Sequence, residues 1–146
     1  MKIHQLSLFL ENTPGQLAEP CRLLAKVGVN IRTLTLADTE EFGILRLIVS
    51  DWEKGAQLLR EAGYVVNVTE VVAVEVPDRP GGLVELLGVF EKAGINIEYM
   101  YAFTFGHGDT AVLIFRLNNP DAAIEQLQAA GINVVGSTEV YSRIEK

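Results

Sequence analysis

Apolar residues alternate with polar ones near the start of the chain, at Ile3, Leu6, Leu8 and Leu10. A period close to two predicts a strand over residues 3–10. The period changes after Asn12-Thr13-Pro14-Gly15. Leu17, Cys21, Leu24 and Val27 follow at helical spacing. Pro14 suits the first turn of that helix, where a missing N–H costs nothing. Gly28 suits the left-handed residue that ends it. Two further strands are predicted over 30–37 and 42–49, with Asp38-Thr39-Glu40-Glu41 as the turn between them. Ser50 or Asp51 caps a second helix carrying Trp52, Ala56 and Leu59. Gly63 closes it, and residues 64–68 read as a fourth strand.

The chain then repeats the pattern. Asn12-Thr13-Pro14-Gly15-Gln16-Leu17 answers to Asp78-Arg79-Pro80-Gly81-Gly82-Leu83, and Gly28-Val29-Asn30-Ile31 to Gly94-Ile95-Asn96-Ile97, both at an offset of 66. Gly63 answers to Gly131 at an offset of 68. In the second copy residues 70–76 predict a strand, 82–93 a helix, and 96–105 and 110–117 strands joined by Gly106-His107-Gly108-Asp109. Asn119 caps the last helix, with Pro120 at its first position, and 133–135 form the closing strand. Two repeats of this length point to two complete domains rather than a solenoid.

The order β-α-β-β-α-β, twice, predicts an α+β chain of two tandem ferredoxin-like modules, residues 1–69 and 70–146. Right-handed crossovers put both helices of a module on one face of an antiparallel sheet. Apolar residues on both faces of 44–49 and 111–115 predict that the other face, or an edge, is covered by a second module or chain. Pro20 falls inside the first helix where the second copy has Leu86. An interior proline removes a backbone hydrogen bond, so a distorted first turn and two non-equivalent copies are expected. Thr138-Glu139-Val140-Tyr141 echoes Thr69-Glu70-Val71-Val72. Residues 138–144 are therefore expected to add to an open sheet edge.

Charge and composition narrow the function. The net charge is −7, of which residues 1–69 contribute −1 and residues 70–146 contribute −6. No Lys/Arg cluster is available to neutralise phosphates, which argues against nucleic acid. No apolar run reaches the roughly 18 residues of a membrane span, and the N-terminus lacks a secretory pattern. A cytoplasmic protein with no membrane partner is expected. One cysteine, Cys21, allows neither an internal disulfide nor a thiolate metal site.

With these residues in view, the chain resembles the ACT domain family of small-molecule regulatory modules. The resemblance spans essentially the whole chain as a tandem pair. It rests on residues 8–17 with Gly28-Val29-Asn30-Ile31, and on residues 76–83 with Ala93-Gly94-Ile95-Asn96-Ile97. It implies a non-catalytic sensor, without a cofactor, that binds a free amino acid at an interface between modules or subunits. A homodimer is expected with it, and an enzyme or regulator as the reader of the signal. The start of each first helix, Gly15-Gln16-Leu17 and Gly81-Gly82-Leu83, offers N–H groups to a carboxylate. Pro14 and Pro80 shape that turn, and glycine permits close approach. Asn12, Asp78, Asn30 and Asn96 supply acceptors for the ammonium. In the serine-sensing domain of phosphoglycerate dehydrogenases, the positions matching Asn12 and Asn30, and Asp78 and Asn96, contact the effector. That pattern has a histidine where this chain has Leu10 and Val76, which argues against serine.

Structural roles stay open beside these. The Pro-Gly pairs can merely start helices, Asn30 and Asn96 can bridge strands, and Asp78 can be a cap. Tyr99, Tyr101, Phe103 and Phe105 share one strand face, fit for packing, with Tyr99 and Met100 in reach of a ligand side chain. His4 lies on the first strand and His107 near Asp109 in a hairpin, and neither has triad partners. Two other functions compete. One is a regulatory subunit similar to the small subunit of acetolactate synthase. The other is an acylphosphatase-like enzyme, which needs an arginine-bearing phosphate loop. Arg79 is the one candidate, and the first copy has Thr13 there.

Overall fold

The computed structural model describes residues 2–38, 41–103 and 108–136. The elements run β1 (Lys2–Glu11), α1 (Ala18–Lys26), β2 (Ile31–Asp38), β3 (Phe42–Val49), α2 (Trp52–Glu61), β4 (Val66–Pro77), α3 (Gly82–Ala93), β5 (Ile97–Ala102), β6 (Thr110–Leu117), α4 (Pro120–Ala129) and β7 (Val134–Val135). The predicted hairpin residues Gly106 and His107, the aromatic Phe105, the turn residues Thr39 and Glu40, and the C-terminal strand over 138–144 lie outside the described residues.

Contacts divide the chain into His4–Thr69 and a second unit of residues from Glu70 onward together with the first residues of β1. The division at 69/70 falls inside a strand. The sequence reads as two strands, 64–68 and 70–76, but β4 continues from Val66 to Pro77. No glycine or proline interrupts Val66-Asn67-Val68-Thr69-Glu70-Val71, so nothing turns the chain there. Lys2 shows why the first residues group with the second unit: its ammonium pairs with Glu70 and Asp121, each at 3.1 Å.

In the first unit β3 lies between β2 and β1, antiparallel to both. Leu47 stands opposite Leu6 and Leu34, and Leu45 opposite Leu8 and Leu36. Alternation puts Leu6, Leu8, Leu10, Leu45, Leu47 and Val49 on one face, where they form a core with Leu24 of α1 and Ala56 and Leu59 of α2. In the second unit β6 lies between β5 and β4, and β7 pairs with the other side of β4. Val72, Val74, Leu113 and Phe115 pack there on Leu86 and Phe90 of α3 and Leu127 of α4. Phe90 meets Phe115 edge-on at 5.3 Å. Each unit is thus the split βαβ arrangement, with its helices on one face. Ile48, Val71, Ala73, Ile114 and Val135, which alternate with the core rows, are fully buried as well.

The caps follow the sequence. Asp51 accepts from the Lys54 N–H at 3.1 Å, and Asn119 from that of Ala122 at 3.1 Å. The distorted start of the first helix is also present. Residues 14–17 form a turn, and regular helix begins at Ala18, whereas α3 begins at Gly82, the counterpart of Gln16. Pro20 has no N–H for the carbonyl of Gln16. The late start makes it the third helical residue, within the first turn, where a missing N–H costs little.

Candidate functional site

The end of the opening strand and the start of the following helix form the same turn twice. In the first unit the Thr13 N–H donates to the Glu11 carbonyl (2.9 Å), Gln16 to Thr13 (3.4 Å) and Glu19 to Gly15 (3.3 Å). In the second, Arg79 donates to Pro77 (3.0 Å), Gly82 to Arg79 (3.0 Å) and Glu85 to Gly81 (3.1 Å). The neighbouring hairpin steadies each turn, through Asn12 N–H to the Glu41 carbonyl (3.1 Å) and Asp78 N–H to the Asp109 carbonyl (2.6 Å). The turn requires φ of 87° at Gly15 and 86° at Gly81, which a side chain disfavours. Among the described residues, the N–H groups of Gly15, Leu17 and Ala18 have no partner, nor do those of Gly81, Leu83 and Val84. They point from the positive end of a helix.

In the first unit this turn borders a cleft of about 70 Å³. Leu10, Glu11, Asn12, Thr13, Gln16 and Leu17 line one side, and Leu36, Asp38 and Gly43 the other. Glycine at 43 leaves room for Leu36, since a Cβ there would sit 3.1 Å from Leu36 Cδ1. The cleft therefore offers the Leu17 N–H, with those of Gly15 and Ala18 in the adjoining turn, two side-chain amides, two carboxylates and an apolar floor. Asn12, Gln16 and Leu17 were legible as site residues. Glu11, Leu36, Asp38 and Gly43 were not, because they arrive through the pairing of β1, β2 and β3.

Asn30 and Asn96 lie elsewhere. The Asn30 N–H donates to Ser50 Oγ (3.0 Å) and its carbonyl accepts from the Ser50 N–H (2.9 Å). Asn96 and Asn118 repeat this at 3.1 and 3.3 Å. Each asparagine thus ties the start of a strand to the end of the next, and both side chains are exposed. β2 runs from Asn30 to the cleft. Its eight residues at about 3.3 Å each separate Asn30 from Asn12 by about 25 Å. Within one unit, a free amino acid cannot touch both.

The second unit departs from the first around its turn. Pro77 replaces Glu11, Asp78 replaces Asn12, and Gly82 replaces Gln16. The Arg79 guanidinium is held by Glu85 at 3.1 and 3.4 Å, so it is not the unpaired arginine a phosphate loop requires. An open groove of about 370 Å³ runs beside Glu75, Pro77, Glu85 and Asn133, where Asn133 Nδ2 donates to Glu75 Oε2 (3.1 Å). His4 stacks on Trp52 with ring centroids 4.3 Å apart. Cys21 is partly covered on α1, and burial pushes its thiol pKa up. Among the described residues no three His, Cys, Asp or Glu gather as a metal would require, and no helix is long and apolar enough to cross a membrane.

Comparison with known proteins identifies the family and the fold. The profile of the ACT domain pair matches residues 1–143. The crystal structure of a protein from Bacteroides thetaiotaomicron superimposes with a TM-score of 0.90 and 38% identity, covering 97% of this chain and 96% of that one. The acetolactate synthase small subunit of Mycobacterium leprae is 26% identical over 144 residues, which is 97% of this chain and 80% of the relative. The regulatory subunit of aspartate kinase from Thermus thermophilus shares the fold, with a TM-score of 0.64 at 16% identity, covering 87% of this chain and 91% of that one.

Proposed function

The chain belongs to the ACT domain family, as a tandem pair, and from that premise we propose that it is a non-catalytic sensor of free amino acids. The observation that carries this is the turn with unpaired N–H groups beside the cleft at Glu11, Asn12 and Asp38. A ligand carboxylate is stabilised by N–H groups at a helix start. The α-ammonium meets Glu11 and the Asn12 amide oxygen beside the turn, and Asp38 across the cleft. No nucleophile or general base is part of this role.

A second copy of the chain completes the assembly. Among the described residues β2 is an edge strand, and its Leu34 and Leu36 are 44% and 50% exposed, next to half-exposed Phe42. An apolar edge of this kind favours pairing with another strand. Ligand held where two chains meet would bias their docking and so the activity of a metabolic enzyme or regulator that reads it. The reading places the protein in the cytoplasm, where free amino acids and biosynthetic enzymes meet.

A melting-temperature screen of the full chain against the twenty amino acids tests this. A ligand at about 100 times its Kd adds roughly 2.7 kcal/mol, a shift of a few degrees. One or two amino acids should give that shift, and Asn12→Ala or Asp78→Ala should remove it. No shift with any of them at millimolar concentration overturns the free-amino-acid reading. The second reading, a regulatory subunit of acetolactate synthase, is supported by the small subunit matched over 97% of this chain. Association with that enzyme's catalytic subunit, with a change in its rate, favours it.

A further inference from the structure

We infer that the cleft at the start of α1 selects amino acids by charge: it takes those with neutral or positive side chains and rejects dicarboxylic amino acids and 2-oxo acids. The inference rests on the proposed sensor reading and adds the class of ligand. Two carboxylates, Glu11 of β1 and Asp38 of β2, line the cleft from either side of β3, and among the described residues no lysine or arginine lines it. Arg22, on the helix that follows the turn, is turned to Glu19 at 3.5 Å. The ligand's carboxylate is met by backbone dipoles, which carry no full charge, so the lining keeps its two negative groups. One ammonium balances at most one of them.

A zwitterion with an uncharged side chain leaves the cleft net negative, and a cationic side chain reduces that excess. Aspartate or glutamate adds a further negative charge within several ångströms of two others. At a separation of about 6 Å and an effective dielectric of about 40, each like-charge pair lowers affinity about tenfold. A 2-oxo acid brings a carboxylate and no ammonium, so nothing offsets the lining. The second unit has Pro77 at the position of Glu11, and its Arg79 carries a positive charge beside Asp78. The selection therefore belongs to the first unit.

The experiment is isothermal titration of the full chain with alanine, serine, lysine, glutamate and pyruvate at low ionic strength. Pyruvate differs from alanine only at the α-carbon, where it has no ammonium. At least one of alanine, serine and lysine should bind, with glutamate and pyruvate at least about tenfold weaker. Glu11→Gln and Asp38→Asn, isosteric changes at exposed positions, should each narrow the gap between neutral ligand and glutamate by about tenfold. Glutamate or pyruvate binding as tightly as alanine overturns the charge selection and leaves the sensor reading standing. A gap that neither variant changes also overturns it. Failure of every amino acid to bind removes the sensor reading itself and the selection with it.

Discussion

Gly82 lies against the carbonyl oxygen of Pro77 so closely that a methyl group on its α-carbon would overlap that oxygen. The close approach comes from the turn that ends β4 and starts α3, which is drawn tighter than its counterpart. The Gly82 N–H reaches Arg79 at 3.0 Å, against 3.4 Å from Gln16 to Thr13. Gly82→Ala should therefore cost about 1–3 kcal/mol, the usual range for a forced backbone shift. Gln16→Ala, at the equivalent position, should stay within about 0.5 kcal/mol. Urea unfolding of both variants checks the contrast.

Pro20 offers a second contrast between the copies. It lies within the first turn of α1, where its missing hydrogen bond is nearly free. Pro20→Ala should change stability by less than about 1 kcal/mol, far from the roughly 3 kcal/mol expected of a proline in a helix interior. The same substitution should let helix extend back toward Gln16. Chemical denaturation with far-ultraviolet circular dichroism reads both effects.

Sequence and structure agree wherever a local rule acts. Asn119 caps and Pro120 follows because both satisfy a helix start without distant help. The Pro14-Gly15 and Pro80-Gly81 turns are legible for the same reason. Asp38 and Leu36 escaped notice because only the pairing of β2 with β3 carries them to Asn12. Asn30 looked like a partner of Asn12 because both flank one helix, but the helix places its two ends at opposite ends of the sheet. The single strand Val66–Pro77 was legible in part: it has no breaker, and only the repeat boundary suggested a cut.

Lys2 gives the chain a dependence on alkaline pH. Its partners Asp121 and Glu70 raise its pKa above the ordinary 10.5. A raised pKa in the folded state means that the ion pairs stabilise fully below 10.5 and are lost as pH rises through the folded-state value. Lys2→Met should therefore melt below the parent at pH 8, and the difference should vanish in strong alkali. Because the pairs are exposed, 1 M salt should also shrink it. Paired melting curves at both pH values, with and without salt, measure this.

Cys21 should react slowly. Burial on α1 raises its pKa, so less thiolate is present at pH 8 than for an ordinary cysteine. Labelling with an aromatic disulfide reagent should be several-fold slower in the folded chain than in urea, and the folded rate should keep climbing above pH 9. Equal rates in both states would contradict the burial.

The separation of Asn12 from Asn30 leads to a prediction about assembly. If two copies pair through their β2 edges, two-fold symmetry makes the strands antiparallel. The Asp38 end of one strand then lies beside the Asn30 end of the other. The cleft of one chain and the asparagine of its partner would meet, although about 25 Å separates them within a chain. A ligand in each such site would use Asn12 from one copy and Asn30 from the other. Asn12→Ala and Asn30→Ala homodimers should then both lose affinity at least about tenfold. Mixing the two variants should restore binding, because every mixed dimer carries one site with both asparagines intact and one with neither. With random exchange half of the dimers are mixed, so about a quarter of all sites should regain the parental affinity. Titration calorimetry of the mixture reads that fraction directly. Two inactive variants that stay inactive when mixed and exchanged would place both asparagines in roles within one chain. An Asn30→Ala protein that binds normally would restrict Asn30 to its backbone tie with Ser50.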